Sequence, residues 1–169
     1  MNATTMHYPT KRILLLGFII TVAAISAPAQ VGEGYHGHGY VFAAPGGIKQ
    51  GGNESVVHFG GGGERLIYRG LGAGAELGYV APTILGILSA NGSYHFVNRA
   101  TPRKLVPFVT AGYSYAFSSG GTAHLANFGG GVNYWFHPRA AARLEFRDHM
   151  ETTSYPLHIW GFRFGLSFR

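Results

Sequence analysis

The sequence predicts an all-β fold, an eight-stranded antiparallel up-and-down β-barrel whose strands cross a membrane. Apolar side chains alternate with polar or small ones at every second residue over most of the chain, which is the period of a β-strand. The alternation falls into eight segments separated by turn residues. In the clearest segments one face is apolar and aromatic and the other is charged or rich in glycine. This contrast is typical of a barrel with lipid outside and a polar interior.

The chain begins with the pattern of a secretory signal peptide. Lys11 and Arg12 precede an uncharged apolar run, residues 13–25, and a small-x-small cleavage site ends at Ala29. The run is shorter than the about 20 residues that span a bilayer, so an uncleaved anchor is the weaker alternative. We therefore expect residues 1–29 to be a signal peptide and 30–169 to be one barrel domain, which is secreted through the inner membrane and resides in the outer membrane.

Composition narrows the function classes. The chain has no cysteine, so neither a disulfide nor a thiolate metal site is available to stabilise it. Two of the 13 Lys and Arg residues lie in the leader, which leaves 11 against 7 acidic residues and lowers the net charge from +6 to +4. These cations are scattered singly along the sequence. Without a clustered basic stripe we expect no nucleic-acid partner.

The first two predicted strands have the weakest patterns. The first runs from about Gly37 to Ala44 and is closed by a turn at Pro45-Gly46-Gly47, and the second covers about residues 55–63. Either face of the first strand could be the outer one. The second contains a run of glycines, which supplies few side chains with which to decide.

The next three strands cover about residues 70–80, 85–96 and 104–117, and each has a clear apolar face. Pro107 lies near the start of the third of these, where a strand tolerates a missing donor. The predicted outer faces carry Leu71, Ala73, Ala75, Leu77 and Tyr79, then Leu88, Ala90, Tyr94 and Phe96, then Leu105, Val109, Ala111, Tyr113, Tyr115 and Phe117.

The last three strands, between His124 and the end of the chain, have the strongest alternation. Their predicted outer faces carry Ala126, Phe128, Val132, Tyr134 and Phe136, then Ala140, Ala142, Leu144 and Phe146, then Trp160, Phe162, Phe164, Leu166 and Phe168. The connections are predicted as PGGIKQGGNE, ERLIYR, APTI, NRATPR, SSGGTAH, HPR and METTSYP in chain order. Aromatic residues near strand ends, among them Trp135, suit the interfacial girdles of a membrane barrel.

Bacterial outer-membrane β-barrel domains of the OmpA-like eight-stranded type resemble this chain in the segments GLGAGAELGY, PFVTAGYSYAF, NFGGGVNYWFHPRAAARLEFRDH and WGFRFGLSF. The resemblance covers most of the chain after the leader. It implies a monomer surrounded by outer-membrane lipid, whose last strand is read by the outer-membrane assembly machinery through Trp160, Phe162, Phe164, Leu166 and Phe168. Such proteins usually end in an aromatic residue, whereas here Arg169 follows Phe168.

Five charged residues share the predicted inner faces: Glu76, Arg143, Glu145, Arg147 and Arg163. An eight-stranded barrel is only wide enough for side chains to fill, so these charges must pair with one another in a nearly dry interior. We predict a structural charge network in the lumen that holds the strand register. We expect no catalytic residues, no cofactor and no metal site, and a structural or surface-interaction role.

The sequence is also compatible with several other functions. A narrow porin-like channel for small solutes could run along the same charges. A lipid A-modifying enzyme could use residues near the outer rim, namely Ser118, Ser119, His124, Asp148, His149, Glu151, Ser154 and His158, although none of them shows a known motif spacing. His36 and His38 could share a metal ion, but a structural or surface role is the simpler interpretation. A soluble lipocalin-like barrel is the alternative fold.

Overall fold

The computed structural model describes residues 36–49, 52–83, 85–97, 104–151 and 157–169. The predicted signal peptide and its cleavage site lie outside these residues. Eight strands are present: β1 (Gly37–Lys49), β2 (Asn53–Tyr68), β3 (Leu71–Ala81), β4 (Leu85–His95), β5 (Leu105–Ser118), β6 (Gly121–His137), β7 (Ala140–Met150) and β8 (His158–Phe168). The described residues contain no helix that is long and apolar enough to cross a membrane.

The strands form one closed barrel, in which each strand pairs antiparallel with the next and β1 pairs with β8. Closure gives every strand two hydrogen-bonded neighbours and leaves no free sheet edge, which is the condition for a sheet to be stable in lipid. The predicted fold class, an all-β eight-stranded antiparallel barrel, is confirmed.

Two predicted connections in the first third of the chain are wrong. The turn expected at Pro45-Gly46-Gly47 is part of β1, which continues to Lys49 and keeps one register with β2 throughout. The connection expected around ERLIYR belongs mostly to β2, which ends at Tyr68. The turn itself is Arg69-Gly70, whose φ values of 45° and 93° match the two positive values of a type I′ hairpin.

The predicted faces agree with the structure in β3 to β8. The face of β1, which the sequence left undecided, is resolved with His38, Tyr40, Phe42 and Ala44 turned into the barrel. One predicted girdle residue is wrong, because Trp135 is buried inside the barrel rather than exposed on its wall. Its neighbours Tyr134 and Phe136 are on the wall, as expected.

Candidate functional site

The barrel is apolar outside and charged inside. Phe162 and Phe164 of β8 are 51% and 57% exposed on the outer wall, whereas Arg163 between them is 2% exposed in the lumen. The same contrast holds on β7, where Leu144 and Phe146 face outward and the charged residues of that strand face the axis. A soluble protein places its phenylalanines inside and its arginines outside. The reversed arrangement fits a wall in contact with lipid.

Glu145 is the centre of the lumen network. Its Oε2 accepts hydrogen bonds from Nε and Nη2 of Arg143, at 2.9 and 2.8 Å. Its Oε1 accepts from Nε of Arg147 at 2.6 Å and lies 3.7 Å from Nη1 of Arg163. One buried carboxylate thus faces three buried guanidinium groups from two neighbouring strands.

Glu76 supplies the second buried carboxylate from the opposite side of the barrel. Its Oε2 accepts hydrogen bonds from Nη1 of Arg163 at 2.7 Å and from the hydroxyl of Tyr40 at 3.0 Å. Arg163 therefore lies between the two carboxylates and joins β3 to β7 and β8 across the lumen. The structure brings all five residues of the predicted charge network into one cluster of contacts.

His149 and several hydroxyl and amide groups extend the network. Nη2 of Arg163 lies 3.2 Å from Nε2 of His149, and because an arginine can only donate, Nε2 must accept and the proton must sit on Nδ1. Nδ1 lies 3.0 Å from Oγ of Ser114, which also accepts from the Asn127 amide at 2.8 Å. The hydroxyl proton of Ser114 is then directed at Ser89, 2.8 Å away. These partners were not singled out as network members from the sequence, although their inward positions follow from the alternation.

Large inward aromatics on β1 face glycines on β2. In the register Tyr40 is opposite Gly62 and Phe42 is opposite Gly60. A Cβ at Gly62 would lie 2.8 Å from the Tyr40 hydroxyl, and one at Gly60 would lie 3.1 Å from the Phe42 ring. The glycine run that made β2 hard to interpret from sequence therefore makes room for these rings. The rings in turn stack on the network, with Arg143 4.4 Å from the centre of Tyr40 and Arg163 4.2 Å from that of Phe42.

A third carboxylate, Glu64 of β2, lies toward the end of the lumen where β1 begins and β8 ends. Its Oε1 accepts a hydrogen bond from Nε2 of His95 at 2.6 Å and another from the hydroxyl of Ser93. The sequence does not single out this residue, because the glycine run leaves the register of β2 undecided. Residues with even numbers in β2, such as Val56 and His58, face inward, and the period of two would have assigned Glu64 to the same face.

Apolar side chains close the lumen above the network. This apolar plug lies at the end of the connections 50–52, 82–84, 119–120 and 151–157, which we call the loop end. Its members are all at most 9% exposed: Val56, Val80, Ile87, Ala116, Leu125, Leu157 and Ile159. At the opposite end, called the turn end, Val106, Trp135 and Ala141 form a smaller cluster. The described side chains therefore fill the interior in three layers, apolar, charged and apolar.

Of the rim residues considered for an enzyme site, the structure brings Asp148 and His158 into contact, and no described serine joins them. Asp148 and His149 are adjacent in β7, so they point to opposite faces, and His149 is a buried member of the lumen network. On the outer wall, Oδ2 of Asp148 accepts a hydrogen bond from Nδ1 of His158 at 3.1 Å. Ser154 lies outside the described residues. In the part of the chain that the structure describes, no serine hydroxyl is bonded to His158, and no group of three metal-ligating side chains is present.

The fold, the inverted distribution of polarity and the filled lumen define a class, the eight-stranded transmembrane β-barrel. Solved structures of that class are similar to this chain over about four-fifths of its length. The N-terminal β-barrel domain of OprF from Pseudomonas aeruginosa matches with a TM-score of 0.56 at 19% identity, covering 78% of this chain and 98% of that one. Neisserial surface protein A matches with a TM-score of 0.59 at 13% identity, covering 80% and 99%.

A de novo designed transmembrane β-barrel is similar to the same degree, with a TM-score of 0.58 at 19% identity, covering 81% of this chain and 98% of the design. The chain matches no protein-family model and no curated protein sequence. Identities this low establish the fold and leave the activity to be argued from the residues. The fold is that of bacterial outer-membrane eight-stranded barrels.

Proposed function

We propose that this protein is an outer-membrane β-barrel with a structural or surface-interaction role. The observation that carries the proposal is the inverted barrel, in which an apolar, aromatic wall surrounds a lumen filled by paired charges. If water surrounded this wall, the phenylalanines of β8 would be exposed to it at a cost in free energy, while the arginines that water could solvate would be buried. If lipid surrounds the wall, the phenylalanines contact an apolar medium and the arginines remain paired in the lumen.

The location is tested by fractionating cells that express the full chain. We expect the protein in the outer-membrane fraction, and we expect the isolated barrel to partition into detergent in its folded form. A variant without residues 1–29 is the control and should stay in the cytoplasm. A folded protein that remains in the aqueous phase would support the soluble lipocalin-like alternative and overturn this proposal.

Assembly is the second part of the proposal. Trp160, Phe162, Phe164, Leu166 and Phe168 are all between 41% and 57% exposed on the outer wall and form one uninterrupted stripe along β8. Such a stripe on the last strand supports recognition by the assembly machinery and contact with lipid. The closed barrel has no free edge for pairing with a second copy, which supports a monomer.

Catalysis and conduction are the two alternatives. The plug at the loop end argues against conduction. At the rim, no serine hydroxyl among the described residues is bonded to the Asp148–His158 pair, which favours a structural role for that pair over a triad. Mass analysis of lipid A from a deletion strain, compared with the complemented strain, tests catalysis directly. We expect identical lipid A in both strains, and a change that an Asp148→Asn variant also abolishes would establish an enzyme.

A further inference from the structure

Exposed charge is distributed unevenly between the two ends of the barrel. Five exposed cations of the described chain lie at the turn end and are called the basic belt: Arg65, Arg69, Lys104, Arg139 and Arg169. Among the described residues the loop end has one exposed cation, Lys49, together with the acidic residues Glu54, Asp148 and Glu151. The other described carboxylates, Glu64, Glu76 and Glu145, are inside the lumen and paired. Among the described residues, Arg65, Arg69, Lys104 and Arg139 therefore have no exposed acidic side chain beside them.

Strand pairing places these cations around the turn end of the barrel. The Arg169 backbone N–H donates to the Arg139 carbonyl at 3.2 Å, so the two residues follow each other across β7 and β8. The Lys104 carbonyl accepts from the Trp135 backbone at 2.7 Å, and the Arg169 guanidinium lies 4.1 Å from the centre of the Trp135 ring. Arg65 is opposite Gly37, the first residue of β1, and Arg69 lies in the following turn.

Large apolar and aromatic side chains are interleaved with the belt on the outer wall. The exposed ones at this end are Ile67, Tyr68, Leu71, Tyr94, Phe96, Leu105, Tyr134, Phe136 and Phe168. Tyr68 immediately precedes Arg69, whose guanidinium lies 5.1 Å from the ring centre, and Phe168 immediately precedes Arg169. Aromatic rings beside cations are the arrangement that membrane proteins use at the level of the lipid headgroups. A soluble acidic partner would leave those rings in water, so the aromatics favour a membrane surface.

We infer that the basic belt binds the phosphates of anionic phospholipid headgroups in one leaflet of the membrane. The inference rests on the proposed function, since it requires the barrel to be surrounded by lipid. β1 begins and β8 ends at the turn end, and the even strand number of barrels of this class returns both to the periplasmic side, so the leaflet is the periplasmic one. Anionic lipid attracts nearby cations. Each cation of the belt near the headgroups is expected to raise the affinity for anionic lipid about fivefold.

Native mass spectrometry of the folded barrel in neutral detergent tests the inference. The barrel is titrated with phosphatidylglycerol or with phosphatidylcholine of the same acyl chains, and the retained lipids are counted. We expect the parent barrel to prefer phosphatidylglycerol and the triple variant Arg65→Gln, Arg69→Gln, Arg139→Gln to lose at least about tenfold of that preference. The triple Lys variant of the same positions keeps the charge and should keep the preference. Lys49→Gln at the loop end should change nothing.

The outcomes separate this inference from the proposed function. A barrel that folds in detergent and inserts into phosphatidylcholine vesicles, yet retains both lipids equally, overturns the belt alone. A triple Gln variant that keeps the preference of the parent, or a Lys49→Gln variant that loses it, does the same. A chain that stays soluble without detergent and enters neither vesicle overturns the outer-membrane assignment on which the inference rests.

Discussion

At the scale of single residues, Glu145 determines whether three arginines can be buried. Its two oxygens accept hydrogen bonds from Arg143 and Arg147, and Arg163 lies within 3.7 Å. Reversing the charge in Glu145→Lys leaves four cations near one carboxylate in a lumen that water hardly enters. We expect the free energy of unfolding to fall by at least about 3 kcal/mol, because breaking a buried ion pair leaves an uncompensated charge. Urea unfolding and thermal unfolding of the detergent-folded barrel measure the change.

Glu54→Lys is the matched control for this charge reversal. Glu54 is exposed at the loop end, so its replacement should change the free energy of unfolding by no more than about 0.5 kcal/mol. Equal thermal stability of the parent barrel and Glu145→Lys would show that the network does not hold the structure together.

The charged members of the network could be predicted from the sequence, and their exact partners could not. Period-2 alternation assigns Arg143, Glu145 and Arg147 to one face because the rule depends only on residue number. The bond between Arg163 and Glu76 depends instead on closure, which brings strands 87 residues apart in sequence across the lumen. No local pattern encodes that distance. Glu64 was missed for a different reason, because the glycine run left the register of β2 undecided.

At the scale of elements, glycines on β6 allow β7 to carry its charges. Gly131 is opposite Glu145, and Gly129 is opposite Arg147. A Cβ at Gly131 would lie 2.1 Å from the Leu144 carbonyl oxygen and 2.8 Å from the Glu145 Cα, both backbone atoms that cannot move alone. We expect Gly131→Ala to cost about 1–3 kcal/mol of stability in urea unfolding, because the two strands must separate.

Gly63→Ala provides the comparison for Gly131→Ala. Gly63 faces the outer wall, and the nearest heavy atom to its added Cβ is 4.0 Å away. The same chemical change should therefore leave the unfolding midpoint within experimental error of the parent value. If the two variants lose equal stability, the cost reflects the general effect of alanine in a strand rather than close packing between β6 and β7.

The cost in stability of placing an arginine on the outer wall of β8 should depend on its depth in the bilayer. Phe164 lies near the middle of the strand, opposite Leu144, whereas Phe168 ends it. An arginine on the lipid face costs about 2–4 kcal/mol at the bilayer midplane and about 0–1 near the interface. Phe164→Arg should therefore destabilise the vesicle-folded barrel by several times more than Phe168→Arg, as measured by urea unfolding. Equal costs would place β8 outside the hydrocarbon.

The elements themselves were predicted with different success. The strands β3 to β8 alternate strongly enough for sequence to assign their faces. In β1 both candidate faces carry aliphatic or aromatic residues, and the inward choice of Tyr40 and Phe42 depends on arginines from β7 and β8 that stack on them. The prediction of a turn at Pro45 is wrong because β1 continues past this residue and pairs there with both β2 and β8.

At the scale of the whole molecule, the lumen is balanced in both charge and polarity. The lumen contains three carboxylates, Glu64, Glu76 and Glu145, and three arginines, Arg143, Arg147 and Arg163, and the side chains of all six are at most 7% exposed. Apolar clusters at both ends keep water from the charged layer and so strengthen its ion pairs. The barrel is therefore built as a solid body, and its described outer surfaces are what remain available for interaction.

A solid barrel predicts the absence of conduction. In planar bilayers we expect no unitary current steps from the parent protein, because the apolar plug and the charge network each block the lumen separately. Replacing Ile87, Leu125 and Ile159 with alanine should still give no steps, since the arginines below remain paired with Glu76 and Glu145. A porin reconstituted in the same way shows that open pores are detected. Regular steps from the parent barrel, abolished by Arg163→Ala but not by Lys49→Gln, would establish a channel through the network and contradict the structural role.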